Sequence, residues 1–125
     1  MRRSKLVLYL GALAAVCALA TAATAPAATT ASHAACADFA GPSWSFPEFG
    51  KKGSQWKVLA RGVPCQFATT WSKKLLHTPY KGEAATKLRG PAGWSCLPSI
   101  PHGGGVPGEC RKGSKLFSWG PDAKL

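Results

Sequence analysis

The stretch Val58–Trp71, VLARGVPCQFATTW, decides how the rest of the chain is read. Its first half continues a strand-like run, SQWKVLARG, that begins at Ser54. Trp56, Val58 and Ala60 fall on one side of that run and Lys57 and Arg61 on the other, the period of two of a half-buried strand. Gly62 ends it. Pro64 suits the first turn of a helix, where a missing N–H costs nothing. From Cys65 onward, Ala68, Trp71 (or Ser72), Leu75 and Leu76 recur at helical spacing with Phe67 beside them, an amphipathic stripe. Lys73 and Lys74 fall on the wet side, and Pro79, which disfavours a helical Thr78, closes the helix. Strand passes into helix with Cys65 at the join, where the thiol can serve as nucleophile, metal ligand or staple.

The start of the chain bears on that choice. Arg2, Arg3 and Lys5 precede an unbroken apolar run, Leu6–Ala20, and an Ala/Thr-rich stretch with small residues at −3 and −1 spacing follows. That is the layout of a secretory signal peptide, with Ser32-His33-Ala34 as the preferred cleavage site and Ala-rich triplets between Ala23 and Ala28 as earlier ones. The apolar run is short of the roughly 20 residues that span a membrane. No apolar pair follows the twin arginines at the spacing of twin-arginine export, and neither Cys17 nor Cys36 has a lipoprotein context. Expected boundaries are a removed signal peptide over 1–34, an extended aromatic and proline-rich arm over 35–53, and one small domain over 54–125.

Of five cysteines, Cys17 leaves with the leader, and Cys36, Cys65, Cys96 and Cys110 remain as an even set in an oxidising compartment. Two disulfides follow, and there is no C-x-x-C to suggest redox chemistry. Cys65 is therefore read as a staple. Four cysteines allow three pairings, of which sequence proximity favours Cys36–Cys65 and Cys96–Cys110. For a domain this small, two staples are a large share of stability.

Further along, CADFAGPSWSFPEFGKKG carries Pro, Gly and aromatic residues and reads as the arm, with Phe39, Trp44, Phe46 and Phe49 lying on the domain. Ala84–Leu88 suggests a helical turn, and Gly93–Leu97 a strand. LPSIPHGGGVPG reads as a flexible loop. ECRKGSKLFSWGP reads as a hairpin turning around Lys112-Gly113-Ser114, with Pro121 stopping its second strand. The expected class is α+β: one helix on a small antiparallel sheet of three to four strands, stapled by two disulfides.

The motifs ARGVPCQFA at 60–68, GWSC at 93–96 and CRKGSKLF at 110–117, behind an N-terminal Cys36, resemble a group of small secreted actinobacterial proteins. That resemblance implies a stapled fold and a secreted life and carries over no catalytic residue. The chain departs from the group in the long loop between Cys96 and Cys110.

Chemistry is sparse. His77 and His102 stand far apart, and no Cys/His pair has zinc-like spacing, so neither a metal nor another cofactor is expected. The five acids, Asp38, Glu48, Glu83, Glu109 and Asp122, are scattered, which does not favour paired-carboxylate hydrolysis. His77, Glu83, His102 and Arg89 are the residues a small secreted ribonuclease would use. SIPHGGGVPG, between two cysteines, is where a protein-binding module such as a protease inhibitor would present a loop, although its glycines oppose preorganisation.

Charge is the stronger signal. The leader takes three of sixteen basic residues and none of the five acids, leaving thirteen basic residues and a formal charge of +8. A non-enzymatic domain that meets an anionic surface or polymer, such as a cell-envelope component, is the leading expectation. Its candidate contacts are Lys51, Lys52, Lys57, Lys73, Lys74, Arg111, Lys112 and Lys115. Tryptophans interleave with these cations. Exposed, they would stack on sugars or bases, but most fall at inward positions and are better read as core.

Overall fold

The computed structural model describes residues 32–80 and 88–124. Residues 1–31 of the expected leader, 84–87 of the expected helical turn and Glu83 lie outside them. The alternation read around Val58 becomes the central strand. We number the strands β1 (Ala34–Ala35), β2 (Phe39–Phe46), β3 (Lys51–Arg61), β4 (Ser95–Pro98), β5 (Gly108–Lys112) and β6 (Lys115–Pro121), and the helix α1 (Cys65–Leu76). All pairings are antiparallel, in the order β1-β3-β6-β5-β4, with β2 also on β3. Trp56, Val58 and Ala60 of β3 are buried, and their partners Pro121, Trp119 and Phe117 continue the same face across β6.

The class is α+β, but the sheet has six strands rather than three to four. The difference lies mainly in the expected arm. Ala34 and Ala35 pair with β3, and β2 forms a hairpin with β3 through a 3-10 turn at Pro47–Phe49. The proline-rich stretch fits because β2 changes register between Ala40 and Trp44, around Gly41-Pro42. A proline that cannot donate is tolerated at such an irregularity on an outer strand.

α1 begins where the spacing placed it. Pro64 sits just outside as the N-cap, in extended conformation, with its carbonyl accepting the Ala68 N–H at 3.1 Å. Ala68, Ser72, Leu75 and Leu76 are buried against the sheet, while Trp71 is only half-buried. Cys65 is bonded to Cys36, which ties the helix start to the segment between β1 and β2. Cys96 is bonded to Cys110, its direct partner in the β4–β5 ladder.

The core is aromatic. Phe67, Trp94, Phe117 and Trp119 form a chain of ring contacts with centroids 5.3–5.9 Å apart. Each of the three deeply buried indoles donates to a backbone carbonyl: Trp44 to Gln55 at 2.9 Å, Trp56 to Pro42 at 2.9 Å and Trp119 to Val106 at 2.7 Å. Burying an indole is favourable only if its N–H is satisfied in this way.

The glycine-rich segment expected to be a flexible loop is instead seated. Ser45 N–H donates to His102 O, Gly104 N–H to Ser43 O, and Val106 N–H to Leu76 O. Residues 102–104 thus pair with the outer side of β2, and Gly105, Val106 and Pro107 are buried. Gly103 has φ 147°, and a Cβ there would lie 2.3 Å from Ser43 O; one on Gly105 would lie 2.6 Å from both Leu76 and Trp56 side chains. The glycines serve close approach rather than mobility.

Candidate functional site

Alternation along β3 and β6 leaves one sheet face away from α1. On it stand Gln55, Lys57, Leu59 and Arg61 of β3, Leu116, Ser118 and Gly120 of β6, and Glu109 and Arg111 of β5. The cations of this face and of the turns beside it gather at its two ends.

The first end surrounds the β5–β6 turn. The register places Arg61, Leu116, Arg111 and Ser95 in one row across four strands. Leu116 is 2 % exposed although its register places it on this face. Arg61 Nε donates to Ser114 O at 3.1 Å, which holds its guanidinium against the turn. Arg111 Nε lies 2.5 Å from Glu109 Oε1, an exposed pair that contributes little to stability. Its carboxylate partner raises the Arg111 pKa further, so the guanidinium stays charged. One step beyond that row, Lys112 and Lys115 are direct cross-strand partners, both exposed. Like charges placed opposite one another cost stability. By the same alternation Lys112 and Lys115 point to the face opposite Arg61 and Arg111, with Lys112 Nζ near Gly93 and the Lys115 stem near Gly62. The four cations thus stand around this turn two to a side, with the carboxylate of Glu109 on the arginine side.

At the other end, Lys51 and Lys52 follow the β2–β3 turn, and Lys51 Nζ donates to Lys124 O. A cleft of about 470 Å³ beside them is lined by Trp44, Gln55, Asp122 and Lys124 among others. The Trp44 indole lies against Gly53, directly across the ladder.

Between the ends, Lys57 Nζ is 3.0 Å from Asp122 Oδ1. This contact from Lys57 holds the Asp122 carboxyl below the usual aspartate value, against a smaller opposing effect of burial. Asp122 in turn raises Lys57, with Asp38 adding to the effect. Lys57 is thus neutralised within the fold.

Of the eight cations singled out in the sequence, Arg111, Lys112 and Lys115 come together at one end and Lys51 and Lys52 at the other. Lys73 and Lys74 lie on α1, their ammonium groups 5.3 Å and 4.7 Å from the ring centroids of Phe39 and Trp71. Arg61 and Lys124 complete the two ends and were not singled out. Arg61 had a signal in its alternation with Lys57, but its place beside Arg111 depends on the pairing of distant strands.

Of the residues read for other chemistries, Glu83 lies outside the described residues. His77 lines a cleft with Tyr80 and Gly103–Gly105, whereas the His102 ring packs on Phe46 with centroids 4.2 Å apart. Arg89 is exposed beside β4. In the proposed inhibitory loop Ser99, Ile100, Gly103 and Gly104 are exposed, Ile100 at 71 %, but residues 102–104 are hydrogen-bonded to β2. Among the described residues, no three His, Cys, Asp or Glu side chains gather in a way that would hold a metal ion. No described helix is long and apolar enough to cross a membrane. Comparison with protein-family models, with curated proteins and with solved structures finds no match.

Proposed function

We propose that this chain is an exported, non-enzymatic domain that binds an anionic polymer, of the kind found in a cell envelope, through the cationic end formed by Arg61, Arg111, Lys112 and Lys115. Export rests on the leader-like sequence over 1–34, with cleavage near Ala35, and two disulfides suit the oxidising compartment it leads to. The likeness to small secreted actinobacterial proteins is in keeping with it.

The observation that carries the binding proposal is the placement of Lys112 opposite Lys115, next to the row containing Arg61 and Arg111. Like charges on directly paired cross-strand positions are unfavourable alone, and an anion bound at the turn relieves them. The arginines offer planar forks suited to phosphate or carboxylate groups, and the lysines offer point charges. No pairing of acid and base is needed for such a role.

The test is isothermal titration with inorganic polyphosphate at low salt, on the oxidised protein and on an Arg111→Gln, Lys112→Gln, Lys115→Gln variant. The expected result is saturable binding that weakens at least about tenfold in the variant, which loses three of the cations that meet the polymer. Equal affinity of the two proteins, with unchanged melting temperatures, would remove the proposal.

A further inference from the structure

The two cationic ends are separated by the length of β3. Eleven extended residues at about 3.3 Å each put Lys51 about 30 Å from Arg61. That is three to four times the screening length of about 8 Å at physiological ionic strength, so the ends act as independent charges. The middle of the face does not join them. Lys57 is paired there with Asp122, which also lines the cleft beside Lys51 and Lys124. A polyanion running from one end to the other would meet no unpaired cation in between among the described residues of this face.

From this geometry we infer that the protein is bivalent: one polyanion chain is taken at the Arg61–Arg111–Lys112–Lys115 end, and a second at the Lys51–Lys52–Lys124 end, so that the domain cross-links linear polyanions. This rests on the binding function proposed above and adds its consequence. The rigid paired strand between the ends keeps both sites from folding back onto one short segment of polymer. Each site alone is a modest cluster of cations. Joined on one frame they link two chains, and a network grows where the number of cross-links is comparable to the number of chains.

The experiment is light scattering of long-chain inorganic polyphosphate titrated with oxidised protein at physiological ionic strength, where the two ends are screened from one another. Three proteins are compared: wild type, Lys51→Gln/Lys52→Gln, and Lys73→Gln/Lys74→Gln. The two variants lose the same charge, but the second loses it from the helix, outside both ends. Titration calorimetry with a short polyphosphate, too short to reach both ends, runs in parallel. Wild type and the helix variant are expected to give a scattering maximum at an intermediate ratio that dissolves in excess protein. The Lys51→Gln/Lys52→Gln protein is expected to bind the short chain within about twofold of wild type and to give no maximum. Equal scattering from both variants would mean bulk charge neutralisation and would overturn bivalency. So would wild-type binding of the short chain without scattering on the long one, while leaving the binding proposal intact. Absence of wild-type binding to either chain would remove both.

Discussion

Gly105 shows how much of this fold turns on single atoms. A Cβ there would meet the side chains of Leu76 and Trp56 at 2.6 Å, and both are buried in the core. Overpacking of a core costs about 1–3 kcal/mol. Gly105→Ala is therefore expected to lower the unfolding free energy, read by urea denaturation, by an amount in that range. Asp122 is the corresponding electrostatic case. Its folded pKa lies below the ordinary value because of Lys57. Its contribution is therefore present above the unfolded pKa and is lost as pH falls through the folded one. The raised Lys57 makes a contribution that is lost only as pH rises through its own folded value. Across neutral pH the pair is intact. Asp122→Asn is expected to melt lower than wild type near pH 7, with the gap closing in strong acid, measured as melting temperature against pH. A gap independent of pH would assign the effect to packing instead.

At the scale of elements, sequence periodicity and structure agree where the periodicity is local. The stripe Ala68, Leu75 and Leu76 and the alternation Trp56, Val58, Ala60 became the buried faces of α1 and β3. β2 was illegible because Gly41-Pro42 interrupts its alternation, and a strand with a register change has no constant period. The glycine run was misread for a different reason. Glycine-rich sequence signals freedom only when nothing packs on the backbone, and here β2, Leu76 and Trp56 all approach it. The candidate site was half legible: the cations of the β5–β6 hairpin are neighbours in sequence, but Arg61 joins them only through the β3–β6 register. That hairpin carries a prediction of opposite signs. Lys112→Glu replaces a repulsive cross-strand pair with an attractive one. It is expected to raise stability by about 0.2–1 kcal/mol at low salt and to weaken polyphosphate binding. Chemical denaturation and titration of the same sample would read both. A loss of stability would show that Lys112 and Lys115 do not repel in the folded state.

For the whole molecule, fold and charge serve separate ends. The aromatic core, two disulfides and seated loop fix a small frame, and on the sheet face away from α1 the cations stand at the two ends with Lys57 paired between them. Tryptophans that in sequence alternate with lysines are largely spent on the interior, which leaves charge to carry the polyanion binding proposed above. Such binding displaces counterions and must weaken steeply with salt. The most direct measurement is the polyphosphate binding constant across a series of salt concentrations, for wild type and for the Arg111→Gln, Lys112→Gln, Lys115→Gln protein. The account predicts a straight line of log K against log salt for wild type. Its slope should be shallower in the variant by about 0.7 for each phosphate that the protein no longer neutralises, as for a single-stranded polyanion. Binding that is insensitive to salt, or the same slope in both proteins, would contradict it.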